Sequence, residues 1–404
     1  MKILVLNCGS SSIKYKLFNM LTHDVLAQGA VEKIGLTGSF LKFKTPDGRK
    51  VLLEGEVLEH RAGIEYILGV MVSEKYGCVK SLDEIDAVGH RVVHGGEKFN
   101  ESVLIDEEVT NMIEECIDLA PLHNPPNLKG IYAINELMPG TPQVAVFDTA
   151  FHQTLPDYAY FYPLPYSLYE KHNIRRYGFH GTSHRYVSKR VCEFLDVPYE
   201  SQRIITAHIG NGASTAAIKN GKSIDTSMGM NPIEGLMMGT RSGDIDPGVI
   251  SYVMEKEHLG TQGISTLLNK FSGVLGISGL SSDMREIEDA VIRGEERPQL
   301  ALKMYNYRIK KYVGSFTAVL GGLDILVFNG WVGENMPMMR QAVCENMEYM
   351  GIELDEELND ATYSKEAVIS KPTSKVKVVV IPTDEELTIA QDVGMILEQV
   401  KSEV

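Results

Sequence analysis

Residues 1–15 read MKILVLNCGSSSIKY and contain the pattern that decides the fold. Ile3 to Leu6 is an apolar run long enough for one buried strand, and it stops at Asn7. A turn of small, hydroxyl-rich residues follows, and from Lys14 onward polar and apolar residues alternate. This order predicts a strand, a tight turn and a second strand, in which backbone N–H groups could approach an anion closely. An ordinary serine-rich hairpin is the alternative, and this stretch alone does not decide between the two.

The composition excludes several classes of protein. The chain has 404 residues, enough for two domains, and 44% of them are apolar, as in ordinary globular proteins. Its net charge of −15 argues against non-specific binding to nucleic acid or to an anionic membrane. No apolar run approaches the roughly 18 residues of a membrane span, and the N-terminus enters a strand at once, unlike a signal peptide. Five scattered cysteines without a CxxC pair indicate reduced thiols rather than disulfides or zinc, so we expect a cytoplasmic protein.

The opening pattern has counterparts further along the chain. Residues 203–214 read RIITAHIGNGAS, which predicts a strand, a glycine turn and the start of a second strand. Residues 324–328 are an apolar strand that enters a glycine-bearing turn, much as the strand at 143–147 runs to Asp148. Such internal repetition predicts two related domains, each with a phosphate-binding hairpin, and a nucleotide in the cleft between them.

Two stretches suggest where these domains begin and end. The strand that ends before Asp148 is followed by a loop-rich aromatic segment, and a last helix over 385–400 could return to the first domain. The proline-containing stretch at 120–127 is predicted to be a loop that cannot be helix, with a helix opening at Asn127. We predict an N-terminal domain of residues 1–150 plus 386–404 and a C-terminal domain of residues 151–385.

Nine motifs, in family order and over nearly the whole chain, resemble the acetate kinase family. They are NCGSSSIKY, GHRVVHGG, APLHNP, VAVFDTAFH, RRYGFHGTSH, HIGNGAS, DTSMGMNPIEGLMMGTRSGDIDPG, SSDMR and PTDEELTIA. This family belongs to the superfamily of acetate and sugar kinases, heat-shock chaperones and actin. The resemblance implies an α/β, actin-like ATPase fold whose two domains carry duplicated ribonuclease H-like βββαβαβα cores flanking a nucleotide cleft. It also implies a phosphotransferase that interconverts acetate plus ATP with acetyl phosphate plus ADP.

Four residues are implied to carry the chemistry. The resemblance places Arg91 and Arg241 on the carboxylate and the migrating phosphoryl group, two oxyanions that suit a planar, permanently charged guanidinium. It makes His180 a donor to the transferring phosphoryl oxygens. The spacing of His180 and His184 would also suit zinc, but no third ligand is nearby.

Descriptions of the family often treat the aspartate that matches Asp148 as a proton donor or acceptor. Because acetate is already ionised at neutral pH, a role in metal binding or in orienting Arg91 fits better, and both roles stay open.

The family's ligand positions also have counterparts in this chain. The positions at which the family binds magnesium are Asn7 and Glu385 in this chain, and Mn²⁺ is expected to substitute for Mg²⁺. Two protein oxygens suit Mg²⁺, because this ion keeps several of its bound waters. The small apolar pocket for the acetyl group corresponds to Val93, Leu122, Phe179 and Pro232. The positions implied to bind the nucleotide and its phosphates are Ser10, Ser12, Lys14, His208, Ile209, Gly210, Asn211, Gly212, Asp283, Met284, Arg285, Trp331, Val332, Gly333, Glu334 and Asn335. By analogy with the family we also expect a homodimer.

The sequence departs from the family at the nucleotide end. The family usually has Thr-Ala-Gly-Ile-Gly-Glu-Asn where this chain has residues 329–335, NGWVGEN. Trp331 therefore stands where a glycine normally lets the adenine lie close to the backbone. Its indole could stack on the purine, fill the adenine pocket and favour a smaller donor such as pyrophosphate, or point away and change little.

Three other functions compete with an ATP-dependent acetate kinase. A pyrophosphate-dependent acetate kinase would follow from a filled adenine pocket. A propionate or butyrate kinase is an alternative because an apolar pocket discriminates one methylene by only about 1–3 kcal/mol. A chaperone-type or filament-type ATPase of the same superfamily is disfavoured, because the chain has no appended peptide-binding domain and keeps Arg91, Asp148, His180 and Arg241.

Overall fold

The computed structural model of the chain describes residues 1–45 and 47–403, whereas Pro46 and Val404 lie outside the described residues. The chain folds into two compact units, the first of Met1–Gln153 and Asp384–Val404 and the second of Thr154–Thr383. The domain boundaries predicted from the sequence differ slightly from these limits, because residues 151–153, 384 and 385 lie in the first unit.

The first unit is built on an eight-stranded mixed sheet. Its strands are β1 (Lys2–Cys8), β2 (Ser12–Asn19), β3 (Asp24–Glu32), β4 (Phe40–Lys44), β5 (Lys50–Glu54), β6 (Ala87–Val92), β7 (Val103–Leu104) and β8 (Gln143–Phe147). Across the sheet they follow the order β5-β4-β3-β2-β1-β6-β8-β7. Strands β1 to β5 are antiparallel neighbours, whereas β1, β6 and β8 run parallel to one another.

The second unit repeats this arrangement in a six-stranded sheet. Its strands are β9 (Arg203–Ile209), β10 (Ala213–Lys219), β11 (Lys222–Thr226), β12 (Ile325–Asn329), β13 (Ala367–Val368) and β14 (Lys377–Val380). Their order is β11-β10-β9-β12-β14-β13, so that β9, β12 and β14 correspond to β1, β6 and β8, and each sheet ends in a short antiparallel strand. The predicted duplication is confirmed, and the fold is α/β with two ribonuclease H-like sheets, as in the actin-like ATPases.

Helices connect and cover the strands of both units. The helices of the first unit that precede Gln153 are α1 (His60–Met71), α2 (Glu107–Glu115) and α3 (Asn124–Leu137). Those of the second unit are α4 (Asp157–Tyr160), α5 (Tyr166–His172), α6 (Gly181–Leu195), α7 (Pro247–Lys256), α8 (Thr261–Lys270), α9 (Gly273–Ser278), α10 (Met284–Ile292), α11 (Glu296–Leu320), α12 (Gly330–Asn335), α13 (Pro337–Cys344) and α14 (Glu356–Asp360). The last helix, α15 (Glu385–Glu403), belongs to the first unit. Among the described residues, no helix is both long enough and apolar enough to cross a bilayer.

Both faces of the first hairpin are covered by helices. Leu4 and Leu6 pack in one apolar cluster with residues of α1 and α3. Ile3 and Val5 point to the opposite face and pack with residues of α15. Successive side chains of a strand alternate between its two faces, so a strand buried on both sides reads as a continuous apolar run. This explains why the sequence shows no alternation between Ile3 and Leu6 and why the polar residues begin where the strand reaches the turn.

One local prediction is wrong. The stretch 120–127 was expected to contain no helix, but α3 begins at Asn124 and carries Pro125 and Pro126 in its first turn. Proline is tolerated there because the first N–H groups of a helix have no intrahelical acceptor, and its fixed φ angle suits the helix.

The early start of α3 also fixes the turn that follows β6. The side-chain oxygen of Asn127 accepts from the N–H of Val93 at 3.0 Å, and that of Asn124 accepts from the N–H of His94 at 3.1 Å. Both asparagines are buried, so these bonds replace the water that the two N–H groups would otherwise need.

Candidate active site

The first hairpin has the predicted form. In the register of β1 and β2, Asn7 pairs with Lys14, so both side chains leave the same face of the sheet. The N–H of Gly9 donates to the carbonyl of Ser12 at 2.8 Å and closes the turn. Ser10 and Lys14 are exposed, and Ser12 is partly exposed. The turn therefore presents an amide, hydroxyl groups and an ammonium group at one end of the sheet.

Two neighbouring parallel strands bring Arg91 and Asp148 together. Arg91 lies on β6 opposite Val146 of β8, and Asp148 follows β8 directly. The Arg91 Nε donates to Oδ1 of Asp148 at 2.9 Å, and Nη2 donates to Oδ2 at 2.6 Å. Burial tends to lower the pKa of Arg91, but Asp148, followed by Glu385 and Glu386, raises it above its ordinary value on balance. Arg91 therefore stays a cation whose plane is set by a buried carboxylate.

Glu385 opens α15 and is electrostatically coupled to this pair. Burial raises the pKa of Glu385 to about 7. Arg91 and Lys14 oppose the shift, whereas Asp148 and Glu386 reinforce it by like-charge repulsion. Glu385, in the first turn of α15, therefore feels the charges of two other carboxylates, Asp148 and Glu386, and of two cations, Arg91 and Lys14.

In the second unit, a chain of buried hydrogen bonds supports His180. This residue precedes α6 with a left-handed φ of 56°. Its Nδ1 lies 2.9 Å from Oγ of Ser214, which in turn lies 2.8 Å from Nε2 of His184. Nδ1 of His184 lies 2.7 Å from Oγ1 of Thr206. Because Ser214, His184 and Thr206 are fully buried, His184 uses both ring nitrogens inside this network rather than toward a metal.

Gly212 marks the point at which His180 and Arg241 come together. A Cβ placed on Gly212 would lie 3.5 Å from Nη1 of Arg241 and 3.5 Å from Nε2 of His180. Nη1 of Arg241 also donates to the carbonyl of Pro232 at 3.0 Å. The turn between β9 and β10 is closed by the N–H of Gly210, which donates to the carbonyl of Gly212 at 3.1 Å. The predicted phosphate turn thus lies against two of the predicted catalytic side chains.

His208 belongs to the same cluster. Its ring stacks on that of His180, with the ring centroids 4.3 Å apart and the planes at 29°. Its Nδ1 lies 2.8 Å from Oγ of Ser183 and 3.2 Å from Nδ2 of Asn329. Nδ2 of Asn329 also donates to Oγ of Ser183 at 2.8 Å. These contacts exist because β12, which ends at Asn329, runs parallel to β9 with Asn329 opposite His208.

A cavity of about 400 Å³ lies at the predicted nucleotide end of the second unit. Its lining residues are Asn211, Ser282, Asp283, Met284, Arg285, Trp331 and Val332. The indole of Trp331 is 47% exposed, and the guanidinium of Arg285 lies over it at 5.2 Å. Asp283 caps α10 and holds Arg285 through Nε at 3.0 Å and Nη2 at 2.5 Å. The indole therefore forms one wall of this open cavity.

The rest of the predicted nucleotide segment is occupied by internal contacts. Glu334 is buried, and its Oε1 accepts from the N–H of Thr383 at 3.0 Å. Burial raises the pKa of Glu334, and the backbone N–H groups of Thr383 and Gly330 lower it. Nδ2 of Asn335 donates to the carbonyl of Trp331 at 3.0 Å. Ile209, Val332 and Gly333 are buried as well.

The four predicted acetyl-pocket residues are divided between the units. Val93 and Leu122 belong to the first unit, and Phe179 and Pro232 belong to the second. Val93 and Phe179 are buried, Pro232 is partly buried, and Leu122 is exposed. Phe179 directly precedes His180, and Pro232 contacts Arg241 through its carbonyl, so the second pair adjoins the cluster around Gly212.

The sequence interpretation missed the residues that hold the histidines in place. Ser183 and Ser214 lie inside the motifs HGTSH and GNGAS, and Asn329 lies at the position where the family usually has threonine. Their partners come from other strands or helices, so strand register was needed to reveal them. The one signal in the sequence was the density of small hydroxyl residues around the two histidine motifs.

Comparisons with known proteins agree with this arrangement. The sequence model of the acetokinase family matches residues 2–391. The acetate kinase of Azobacteroides pseudotrichonymphae genomovar. CFP2 is 69% identical over 392 residues, covering 97% of this chain and 98% of the relative. The crystal structure of Porphyromonas gingivalis acetate kinase has a TM-score of 0.94 at 63% identity and covers 98% of this chain and 99% of its own. A propionate kinase from Francisella tularensis subsp. tularensis SCHU S4 has a TM-score of 0.91 at 42% identity, with coverage of 97% and 98%. The chain belongs to the acetokinase family.

Proposed function

We propose that this chain acts as an acetate kinase, which transfers a phosphoryl group reversibly between ATP and acetate. In one direction a carboxylate oxygen of acetate bonds to the γ-phosphorus while the bond from that phosphorus to ADP breaks, giving acetyl phosphate and ADP. The observation that carries this proposal is the meeting of His180 and Arg241 at the Gly210–Gly212 turn. Identities of 63–69% to acetate kinases over almost the whole chain support the choice of reaction.

The first unit supplies the acceptor side in this proposal. Arg91 is a permanent cation with a planar group of donors, which suits the carboxylate of acetate. Asp148 orients Arg91 through both of its oxygens. No general base is required, because acetate carries its negative charge at neutral pH and attacks directly. We therefore assign Asp148 to orientation rather than to proton transfer.

The second unit supplies the donors for the moving phosphoryl group. Arg241 and His180 offer N–H groups to oxygens whose charge is redistributed in the transition state, where such donors have their largest effect. The hairpin at His208–Gly212 offers backbone N–H groups to the nucleotide phosphates. The cavity beside Trp331 accepts the base, which the indole contacts by stacking. ATP is therefore the proposed donor, with the second unit, Thr154–Thr383, as the nucleotide-binding domain.

The residues of the first unit fit a magnesium ion. Asn7 and Glu385 are oxygen donors, and burial raises the pKa of Glu385 to about 7. A divalent cation there would favour the ionised form of Glu385, and two protein oxygens are a normal number for Mg²⁺. When bound, such an ion neutralises charge on the phosphate oxygens. We assign Asn7 and Glu385 to Mg²⁺, with Mn²⁺ as a substitute.

Val93, Leu122, Phe179 and Pro232 are assigned to the methyl group of acetate. They are all apolar, and such a lining discriminates one methylene by only about 1–3 kcal/mol. Propionate is therefore expected to be a weaker substrate rather than an excluded one. The comparisons do not favour propionate, butyrate or pyrophosphate as the principal substrate.

We further propose a cytoplasmic homodimer that pairs through the α7 face of the second unit. All five cysteines are free thiols, in agreement with a reducing compartment. Helix α7 has no buried residue although it carries Val249, Tyr252 and other apolar side chains, and Ile245 just before it is exposed as well. Exposed apolar side chains on neighbouring turns of one helix are typical of a surface that packs against a second copy.

A donor and acceptor panel tests the proposed function. The purified chain is incubated with Mg²⁺, acetate or propionate, and ATP, GTP or pyrophosphate, and the acyl phosphate is trapped with hydroxylamine. Acetyl hydroxamate from acetate and ATP, lost on adding EDTA, is the expected result. Absence of hydroxamate with every donor would overturn the proposal. Hydroxamate formed only with pyrophosphate would show that pyrophosphate, and not ATP, is the donor.

A further inference from the structure

We propose that Tyr162 is a positioning residue whose hydroxyl holds the turn at 230–234 closed and thereby sets the positions of Pro232 and Arg241. This turn lies between β11 and α7 and belongs to no helix or strand. The effect on catalysis rests on the function proposed above, whereas the closure of the turn does not. Neither the family resemblance nor the predicted site residues assign a role to Tyr162.

The hydroxyl of Tyr162 contacts both ends of the turn. The N–H of Met230 donates to it at 3.0 Å, and the hydroxyl donates to Oε2 of Glu234. An amide N–H can only donate, so the hydroxyl oxygen accepts from Met230 and keeps its own proton for the carboxylate. Burial, and then the charge of Glu234, raises the pKa of Tyr162, so this proton is present at neutral pH. One oxygen atom therefore joins the two residues that flank Pro232 at two positions on either side.

Pro232, in the middle of the turn, connects these contacts to the site. Its carbonyl accepts from Nη1 of Arg241 at 3.0 Å. The same Nη1 lies 3.5 Å from the position of a Cβ on Gly212, where His180 also meets the glycine turn. A displacement of the turn would move the acceptor that orients Arg241, and a misplacement of about 1 Å can lower a rate by about 10²-fold.

Arg176 holds Glu234 in the position that this contact requires. Its Nη2 donates to Oε1 of Glu234 at 2.6 Å, which leaves Oε2 for Tyr162. Its Nη1 donates to the three carbonyls of residues 226–228, at 3.0, 3.2 and 2.9 Å. The guanidinium therefore ties Glu234 to the chain that leads from β11 into the turn.

The lack of a side chain at Gly229 makes room for these contacts. A Cβ there would overlap both Oε2 of Glu234 and the hydroxyl of Tyr162. The carbonyl of Gly229 accepts from both N–H groups of residues 177–178, at 3.1 Å each, and His180 follows two residues later. The contacts of Tyr162 thus adjoin the backbone that leads to His180 as well as the turn that orients the arginine.

Hydrogen–deuterium exchange of the full chain tests the closure of the turn directly. Tyr162→Phe removes one oxygen atom and keeps the ring, so the N–H of Met230 loses its acceptor. We expect this amide, read from overlapping peptides, to exchange about tenfold faster in the variant than in wild type. Equal exchange in the two proteins would overturn the proposal.

Tyr199→Phe is the matched control. Tyr199 belongs to the same unit, and its hydroxyl also makes a side-chain hydrogen bond, to Oγ of Ser188 on α6 at 2.9 Å. Its removal should leave both the exchange of Met230 and the kinetic constants as in wild type. Faster exchange of Met230 in this control as well would contradict the proposal, since it would show a general loosening of the unit.

Steady-state kinetics connect the closed turn to the reaction. We expect Tyr162→Phe to lower kcat by about tenfold and to raise KM for acetate by about threefold, with KM for ATP within about twofold of wild type. The kcat/KM of propionate relative to acetate should rise, because Pro232 is held less firmly in the acetyl pocket. A loss of folded protein would lower kcat alone. If kcat and KM for acetate are unchanged, Tyr162 does not position the site.

Glu234→Gln probes the same contact from its other side. Glutamine has one side-chain oxygen and cannot accept from both Arg176 and Tyr162, so kcat/KM for acetate should fall as well. Because both variants break one shared contact, the double variant should lose clearly less than the product of the two single losses. Fully multiplicative losses would contradict the proposal. If the wild-type chain forms no acetyl phosphate at all, the proposed function fails, whereas the exchange of Met230 still decides whether Tyr162 closes the turn.

Discussion

The guanidinium of Arg91 meets both carboxylate oxygens of Asp148, with Nε 2.9 Å from Oδ1 and Nη2 2.6 Å from Oδ2. Arg203 and Asp324 form a pair of the same geometry at the start of β9, with distances of 2.9 and 2.6 Å. The two pairs differ in their surroundings. Asp148 exposes 2% of its side chain, whereas Asp324 exposes 31%. A buried carboxylate has no water to replace its partner, so the orientation of Arg91 is fixed far more firmly.

Asp148→Asn is expected to lower kcat by about 10²-fold, because the amide keeps the shape but loses the charge-assisted bond that aligns Arg91 for the transition state. Steady-state rates of acetyl hydroxamate formation measure the effect. Asp324→Asn is the matched control, since it removes the same type of carboxylate from the more exposed pair. We expect the control to retain kcat within about twofold, because this pair lies at the start of β9, at the opposite end of the strand from the glycine turn at 210–212. Equal kcat in Asp148→Asn and wild type would exclude an essential orienting role.

Arg241→Lys keeps the positive charge but loses the planar set of donors, and we expect kcat to fall by about 10²–10³-fold. The lysine cannot donate to the carbonyl of Pro232 and to a phosphoryl oxygen with the same fixed geometry. Arg293→Lys, on an exposed arginine paired with Glu295, serves as the control and should leave kcat unchanged. If kcat of Arg241→Lys stays within twofold of wild type, charge alone suffices at this position.

Trp331→Ala distinguishes the three interpretations of the indole. Because the ring forms a wall of the base cavity, its loss is expected to raise KM for ATP by about tenfold, as stacking on a base contributes about 1–3 kcal/mol. Trp331→Phe keeps a stacking ring and should raise KM much less. A lower KM for ATP in Trp331→Ala would mean that the indole fills the pocket. An unchanged KM would mean that the indole points away from the base.

His90 should make the stability of the first unit depend on pH. Burial lowers the pKa of His90 to about 4, and a hydrogen bond to Gln143 opposes the shift. The ordinary pKa is about 6.5, so between these values the unfolded chain binds a proton that the folded chain does not. Stability is therefore fully present above about pH 6.5 and is lost as the pH falls toward 4, by at most about 3 kcal/mol.

Urea unfolding of wild type and His90→Gln at pH 7.5 and pH 5 measures this contribution. Glutamine can keep a hydrogen bond to Gln143 but does not titrate, so the variant should lose less stability on acidification than wild type. His23→Asn is the control, because His23 is exposed in a left-handed turn that asparagine tolerates. Identical pH dependence in wild type and His90→Gln would contradict the prediction.

Tyr252→Glu is expected to convert the proposed dimer to a monomer. Tyr252 is exposed on α7, and a charge buried there without a partner would oppose association. Light scattering coupled to size-exclusion chromatography should give twice the chain mass for wild type and one chain mass for the variant. Tyr349→Glu changes another exposed tyrosine of the same unit and should remain dimeric. A monomeric wild type would remove the proposed interface.

Local patterns allowed much of the fold to be predicted before the structure was known. The apolar run before Asn7 and the glycine turn at 210–212 predicted two hairpins, and the duplicated sheets contain both. The stretch at 120–127 was predicted wrongly, because a helix can begin at Asn124 when proline occupies its first turn. Periodicity and turn chemistry depend on a few neighbouring residues, which is why they can be read from the sequence.

The partnerships between side chains could not be predicted in the same way. Asp148 was expected to act on a metal or on Arg91, and the parallel register of β6 and β8 brings it to Arg91. No pattern in the sequence identifies Ser183 or Asn329 as a partner of His208. The pairing of β9 with β12 places Asn329 opposite His208, and Ser183 contacts both residues. Such contacts depend on which strands become neighbours and in which register.

By itself, the sequence determined two related strand-turn-strand units, the family to which the chain belongs and the identity of the polar groups at its turns, because each of these follows from local order along the chain. Only the tertiary structure decided the pairing of Arg91 with Asp148, the raised pKa of Glu385 and the hydrogen bonds around His208. The physical reason is that hydrogen-bond partners and burial are set by residues distant in the chain, and burial decides the strength of each charge and hydrogen bond.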